Sequence, residues 1–489
     1  MAGEVVLRLT EPPPSLPPPS LAEAGDAGVP MAVESPLDFI GAQRLPLEAG
    51  ARVRPPVAGR VNAELFAGHP RVRSVLTKGL KVRVPSTAPR VWHVTRRSAL
   101  MTAAVTDCVA AGVLVPGRPR RCYRLFPVPK NKSVARLIYD MSSLTPFLPH
   151  RPCVLPTIER ALEAAANGFN FGLKIDLRDG FFHIPLAEST RENFGVSYEG
   201  QEYVFARLPM GISIAPSEMQ HFACVTVKLV EARFPGVNGM VYLDDFLFLA
   251  RCPRDLIGIS EFLSGAGFCL NLEKSVLTPT SDLIFIGIDL DLMAGTARVK
   301  AGVLPALRAA VSACSPSWPL LKRQRLAGFV NFVRPCLKLP LEIVSAVRDG
   351  DSGACAAVLP FMGDDVMLSH DDVRACVDVH SRQVFVDATP SQIGIVRPGC
   401  TPVSVALTLE LPIYVAEYAA ALTAICCSGD EVFTIFSDNM GVVYNLHKGR
   451  CPRSWLPLLC HIFRSRKFSV RYISSDANPA DAPSRAFCS

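Results

Sequence analysis

Two separate sets of carboxylates draw attention in the 489-residue sequence, because each acid interrupts an apolar run. In the first set, Lys174-Ile175-Asp176-Leu177 places an acid at the end of an apolar stretch. Tyr242-Leu243-Asp244-Asp245 places two more between Gly239–Val241 and Phe246–Ala250. An apolar strand, two acids and a second apolar strand form the pattern of a hairpin with carboxylates at its tip. Buried neighbouring acids repel each other and are costly unless a cation shares them. Three carboxylates converging from two neighbouring strands would hold two Mg²⁺ (or Mn²⁺) ions, suited to activating a hydroxyl nucleophile and neutralising a triphosphate in an in-line displacement. An isolated Asp-Asp pair would read instead as ordinary turn aspartates.

The second set lies near the C-terminal end. Val384-Phe385-Val386-Asp387 ends a strand in an acid, Ala416-Glu417-Tyr418 opens a helix, and Thr434-Ile435-Phe436-Ser437-Asp438 ends a second strand in an acid. Asn478-Pro479-Ala480-Asp481-Ala482-Pro483-Ser484-Arg485 closes the series. Such a cluster suits a second pair of metal ions that activates water against a phosphodiester. Strand-end and cap acids are the bland reading of any one of them.

The elements that must carry these acids are legible in outline. Helical spacing of apolar residues predicts helices over 97–113, 157–166, 217–231 and 255–267. Strands are expected over 123–128, 135–139, 172–177, 239–244 and 246–250, with a hairpin-like pair over 283–290. This mixture predicts an α+β sheet domain. Residues 303–349 read as mainly helical, and 350–380 as a connection without a clear pattern. From residue 381 the order strand, strand, helix, strand, helix, strand predicts a compact α/β unit. Residues 1–65, with Pro12-Pro13-Pro14-Ser15-Leu16-Pro17-Pro18-Pro19, read as a disordered Pro-rich tail or linker.

Order and spacing of these motifs resemble a known family. Asp176 to Pro185 (DLRDGFFHIP), Leu208 to Ala215 (LPMGISIA) and Tyr242-Leu243-Asp244-Asp245 are similar to the palm motifs of reverse transcriptases. Arg136-Leu137-Ile138-Tyr139-Asp140 is similar to the fingers strand, Asn271-Leu272-Glu273-Lys274 to the lysine motif, and Phe285-Ile286-Gly287 to the primer grip. The C-terminal acids resemble an RNase H fold. The resemblance implies a right-hand polymerase of α+β class (fingers and palm 66–290, helical thumb 291–349), a connection 350–380, and an α/β RNase H-like domain 381–489. It implies Asp176, Asp244 and Asp245 as one set of metal ligands and Asp387, Glu417, Asp438 and Asp481 as the other, each set with two ions. Phe181 would be the gate against a ribose 2′-hydroxyl. Arg136 with Lys130 or Lys132 would clamp the incoming dNTP, beside Met210 and Gly211. Lys274 would protonate or screen the pyrophosphate. Lys322, Arg323 and Arg325 on the thumb helix would lie on the template–primer backbone. RNA template, DNA primer and RNA–DNA hybrid are the implied partners. Val384 to Thr389, Leu411 to Glu417 and the NPADAPSR ending look closest to hepadnavirus-like polymerases and to DIRS-type, VIPER-like retrotransposons. Met210, where many retroviral enzymes carry Gln, leans toward the former, and the compact spacing from Asp176 to Leu208 toward the latter.

Bulk properties agree with a polyanion partner. The net charge is +7, yet residues 71–136 hold 15 Lys/Arg against one acid, Asp107. A block of this sign favours salt-sensitive binding of nucleic acid, with a solvated basic surface as the alternative. Sixteen scattered cysteines without any C-x-x-C read as thiols in an intracellular, reducing compartment, with Cys451, Cys460 and His461 as a weak zinc alternative. No apolar run reaches spanning length, and the start lacks the regions of a secretory signal, so no membrane partner is expected. Gly350-Asp351-Ser352-Gly353 matches a protease nucleophile loop, but no matching His and Asp contexts accompany it. A decayed copy that only binds nucleic acid is the non-enzymatic alternative, and the retention of all seven acids argues against it.

Overall fold

The computed structural model describes residues 48 and 50–485, apart from 130–131, 150, 152, 376–381, 429–431 and 466–467. The chain divides between Gly295 and Thr296 into two compact units. Among the described residues no helix is long and apolar enough to cross a membrane.

In the first unit the most apolar strand lies at the centre. β1 (Arg124–Pro129) and β2 (Val134–Asp140) form an antiparallel hairpin, where the fingers strand was expected. Beyond it lies a four-stranded antiparallel sheet of β3 (Phe171–Asp176), β4 (Val237–Tyr242), β5 (Asp245–Ala250) and β6 (Val276–Thr280), in the spatial order β6-β3-β5-β4. Residues 246–250 of β5 are completely buried, as a strand covered on both faces requires. α1 (Ala215–Arg233) packs on this sheet through Met219, Phe222, Ala223 and Val230. A small sheet of 114–116, 201–205 and 195–198 and the hairpin 282–285/288–291 complete the unit.

Three local expectations change. The strand expected over 239–244 stops at Tyr242, because Leu243 turns into the left-handed region at φ 55°. The helix expected over 255–267 is two pieces, Pro253–Leu256 and Ile259–Gly265, because Ile257 is extended and Gly258 sits at φ 89°. Of the expected tail, residues 1–47 lie outside the described residues, but 51–65 run along the first unit. Arg52–Val53 pair in parallel with Val134–Ala135, Arg54 bridges to Asp179 at 3.1 Å, and Val57 N donates to Asp179 Oδ2 at 3.0 Å. Backbone pairing there outweighs the low-complexity composition.

The second unit begins with a short strand, Thr296–Val299, followed by helices α2 (Leu304–Ser312), α3 (Leu320–Val333) and α4 (Glu342–Asp349), so the segment expected as a helical thumb opens on a strand. The stretch 350–380 holds a helix, Ser352–Val358, and a short strand, Leu368–Ser369, paired with Thr296–Ala297. Asp351 caps that helix by accepting from Ala354 N at 3.0 Å and also meets Arg453, so the protease-like tetrapeptide is a helix start. Beyond it, β7 (Arg382–Thr389), β8 (Gln392–Val396), β9 (Val403–Ala406), β10 (Phe433–Ser437) and β11 (Phe468–Tyr472) form a sheet in the order β9-β8-β7-β10-β11. The first three strands are antiparallel, and β10 and β11 join in parallel. The Ala-rich helix α5 (Ile413–Cys426) packs on it almost wholly buried. β9 is mostly exposed, so no alternation marked it in the sequence. The fold is thus an α+β unit followed, after a helical stretch, by an α/β module, the two classes expected.

Candidate active sites

Strand register brings the first three acids to one sheet edge. Asp176 on β3 stands opposite Asp245 on β5, and Leu177 N donates to Asp244 O at 2.9 Å. The turn that presents Asp244 is held from below by a side chain the sequence did not mark. Gln220 of α1, 4% exposed, donates through Nε2 to Val241 O at 2.8 Å and accepts at Oε1 from Leu243 N at 2.8 Å. Gly180 is equally close: a Cβ there would lie 2.7 Å from Asp244 Cβ.

The electrostatics of these acids fit a cation. Asp245 Oδ2 is 3.3 Å from Lys174 Nζ, while its buried Oδ1 has no hydrogen-bond partner. Burial pushes the Asp245 carboxyl up to about 7; Lys174 opposes that, and Asp176 and Asp244 add to it. An orphaned carboxylate oxygen beside two further acids is the donor set of a hard divalent ion. Asp176 Oδ1 accepts from Asn271 Nδ2 at 2.7 Å, and its N–H donates to Ser275 Oγ at 3.0 Å. In the Asn271–Lys274 motif, Asn271 touches the acid, and Lys274 lies exposed three residues on. His183, also unmarked, is completely buried, with Nδ1 3.0 Å from Gly180 O and Nε2 accepting from Cys269 N at 2.9 Å.

The second set is tighter. Among the described residues, Asp387, Glu417 and Asp438 form the group whose ligand atoms all lie within 4.8 Å of one another. Among the described residues, Asp176, Asp244 and Asp245 do not form such a group; Asp176 accepts from Asn271 and Asp245 pairs with Lys174. Asp387 and Glu417 are each 6% exposed, and Glu417 Oε2 is buried without a partner. Burial raises the Glu417 carboxyl to about 8, helped by Asp387 and Asp438. Burial also raises Asp387, against the Ser484 hydroxyl that donates to it. The structure does not bring Asp481 into this group; its Oδ1 pairs with Arg485, although Asp387 feels its charge.

Residues 123–290 match the family described as "Reverse transcriptase (RNA-dependent DNA polymerase)". Protein P of duck hepatitis B virus (isolate white Shanghai duck S31) is 26% identical over 389 residues, covering 74% of this chain and 47% of that protein. Protein P of heron hepatitis B virus is 27% identical over 243 residues, covering 46% of this chain and 30% of that protein. The chain thus matches less than half the length of each of these relatives. A foamy viral protease-reverse transcriptase solved with double-stranded DNA is 17% identical at a TM-score of 0.45, covering 88% of this chain and 75% of that one. These similarities are to polymerases of reverse-transcribing viruses.

Within the matched residues, the remaining expected positions fall in different settings. Phe182 is a core ring, while Phe181 is half-buried and packs against the core edge. Met210 is half-buried, and Gly211, at φ 96°, brings its loop so near the fingers strand that a Cβ would lie 2.8 Å from Tyr139 O. Lys132 and Arg136 are exposed on or beside the fingers hairpin, Arg136 opposite Val128; Lys130 lies outside the described residues. In the second unit, Lys322 Nζ sits 3.3 Å over the Trp318 ring, and Arg325 is exposed. Arg323 is occupied, with Nε donating to Trp318 O at 3.1 Å and Nη1 to Arg348 O at 2.6 Å. It ties the carbonyl just ahead of α3 to one in the last turn of α4.

Proposed function

We propose that this chain is an RNA-directed DNA polymerase that extends a DNA primer with dNTPs on RNA or DNA templates. Its C-terminal module would cleave the RNA of the RNA–DNA hybrid. The observation that carries the first reading is the register of Asp176 with Asp245 beside the Asp244 turn. The convergence of Asp387, Glu417 and Asp438 supports the second. Asp176, Asp244 and Asp245 would hold Mg²⁺ or Mn²⁺ in the palm, and Asp387, Glu417 and Asp438, with Asp481 near, in the other site. When bound, paired divalent ions lower the pKa of an attacking hydroxyl or water and neutralise the developing charge on phosphate oxygens.

The chain's own side chains supply the positioning. Asn271 and Ser275 fix Asp176, Gln220 fixes the turn under Asp244, and Lys174 partly neutralises Asp245. The Phe181 ring would exclude a 2′-hydroxyl. Lys130, Lys132 and Arg136 would receive the triphosphate over Met210 and Gly211, with Lys274 near the leaving pyrophosphate. Lys322 and Arg325 would follow the template–primer backbone, and Arg323 would hold their helix in place. We assign fingers and palm to 66–290, thumb to 291–349, connection to 350–380 and RNase H to 381–489. Similarity to hepadnaviral polymerases supports a reverse-transcribing element; a DIRS-type, VIPER-like retroelement working in a reducing intracellular compartment is the specific reading.

Extension of a labelled DNA primer on an RNA template with Mg²⁺ or Mn²⁺, with both strands followed on gels, tests this. Asp244→Asn should abolish extension and leave cleavage of a preformed hybrid, and Asp387→Asn should do the reverse. Extension undiminished by Asp244→Asn would refute the polymerase assignment.

A further inference from the structure

This inference rests on reading Asp387, Glu417 and Asp438 as a divalent-cation site. We propose that segment 478–484 is a clamp for that site, with Ser484 and Asn478 as positioning residues for Asp387 and Asp438.

The case starts from two buried polar side chains that the Asn478–Arg485 motif carries beside its acid. Ser484 is fully buried, and its Oγ lies 2.5 Å from Asp387 Oδ2 and 2.8 Å from Asp481 O. One hydroxyl proton cannot satisfy both acceptors. The shorter contact is to the carboxylate, at the length of a charge-assisted O–H···O⁻ bond. Asn478, 5% exposed, donates through Nδ2 to Val386 O at 2.9 Å and to Asp438 Oδ1 at 3.3 Å, and its Oδ1 accepts from Ala480 N at 3.2 Å. The two side chains therefore take one carboxylate each, from the ends of the adjacent parallel strands β7 and β10.

The segment that carries them is itself anchored to the sheet. Gln392 Nε2 and Ser404 Oγ both donate to Pro483 O, at 2.8 and 2.5 Å, and Thr389 Oγ1 donates to Ser484 O at 3.3 Å. The approach needs a glycine opposite Asp387: a Cβ on Gly394 would lie 2.5 Å from Ala480 O and 2.6 Å from Ser484 N. Three buried or half-buried acids that share no proton donor would turn away from one another. A hydrogen bond on one oxygen of Asp387 and of Asp438 fixes each rotamer against that repulsion, so that a ligand atom of each stays within 4.8 Å of Glu417. The Asp481 side chain takes no part in this clamp, because its carboxylate pairs with Arg485.

The test is Mn²⁺ titration of the full chain carrying Asp244→Asn and Asp245→Asn, so that the palm is silent, with free Mn²⁺ read by electron paramagnetic resonance. Loss of binding on adding Asp387→Asn identifies the second cluster as the site observed. Ser484→Ala and Asn478→Leu should then each weaken Mn²⁺ about 10- to 100-fold, while the metal-free chain still unfolds in one cooperative melt at a somewhat lower temperature. Asn478→Leu keeps a side chain of similar size and removes its donor without adding charge. Binding within twofold of the parent in both variants would overturn the clamp while leaving the site. Binding unaffected by Asp387→Asn would remove the site and the clamp together. Loss of the fold in both positioning variants would assign these side chains to stability alone and also overturn the proposal.

Discussion

Replacing Gln220 by Leu removes the amide that holds the Tyr242–Asp245 turn while keeping a side chain of similar size. Two buried backbone groups, Val241 O and Leu243 N, then lose partners that now lie at 2.8 Å. Each unsatisfied buried group costs about 1–3 kcal/mol, so the turn loses about 2–6 kcal/mol in its present form. Leu243 at φ 55° adds a further cost that the amide now offsets. That sum is comparable with the whole stability of a domain, about 5–15 kcal/mol. Relaxation of the turn is the cheaper outcome, because it lets both groups find water at the sheet edge. Asp244 would move with it, and a displacement of about 1 Å at a reacting centre costs on the order of 100-fold in rate. The assay is single-turnover primer extension at saturating dNTP and Mg²⁺, beside thermal melting. The expected result is a fall in rate of about 100-fold with a drop in melting temperature smaller than full loss of both bonds would give. Extension within threefold of the parent would refute the idea that Gln220 holds the turn.

Gly180→Ala should likewise reduce extension about 100-fold with little change in melting, since the new Cβ would meet Asp244 Cβ at 2.7 Å; unchanged extension would show that the acid can shift freely. Phe181→Val should admit ribonucleotides, read as the ratio of rNTP to dNTP incorporation, and an unaltered ratio would return Phe181 to a packing role. His183 should make stability depend on pH. Burial lowers its pKa from 6.5 to about 4, with Nε2 already accepting from Cys269 N. The unfolded chain therefore takes up the proton first as pH falls. The contribution is complete above about pH 6.5 and is lost between there and about pH 4, amounting to about 3 kcal/mol. Urea melts over this window should show the loss, and His183→Gln should flatten it; a slope unchanged in that variant would reject the assignment.

The acids of both sites were legible in the sequence because a carboxylate inside an apolar strand stands out against its neighbours. Asp176, Asp244, Asp245, Asp387, Glu417 and Asp438 interrupt apolar runs, although the structure puts Asp387 two residues inside β7 and Glu417 a turn into α5 rather than at a strand end and a helix start. The long elements followed from the same periodicity, whereas the boundaries at Leu243 and Gly258 depend on backbone angles that periodicity does not encode. What holds the acids could not be read, because their partners are distant in the chain. Asn271 reaches Asp176 across 95 residues, Ser484 reaches Asp387 across 97, and Gln220 reaches the turn across 23. Each of these side chains is an ordinary polar residue until folding buries it beside a charge, and burial turns a weak preference into an obligation to pair. The same reason separates Arg323 from Lys322 and Arg325, which are alike in sequence: packing spends one guanidinium on the Trp318 and Arg348 carbonyls and leaves the other two cations exposed. Residue type thus determined which chemistry is on offer, and tertiary contact decided which oxygens are held and which are left for a cation.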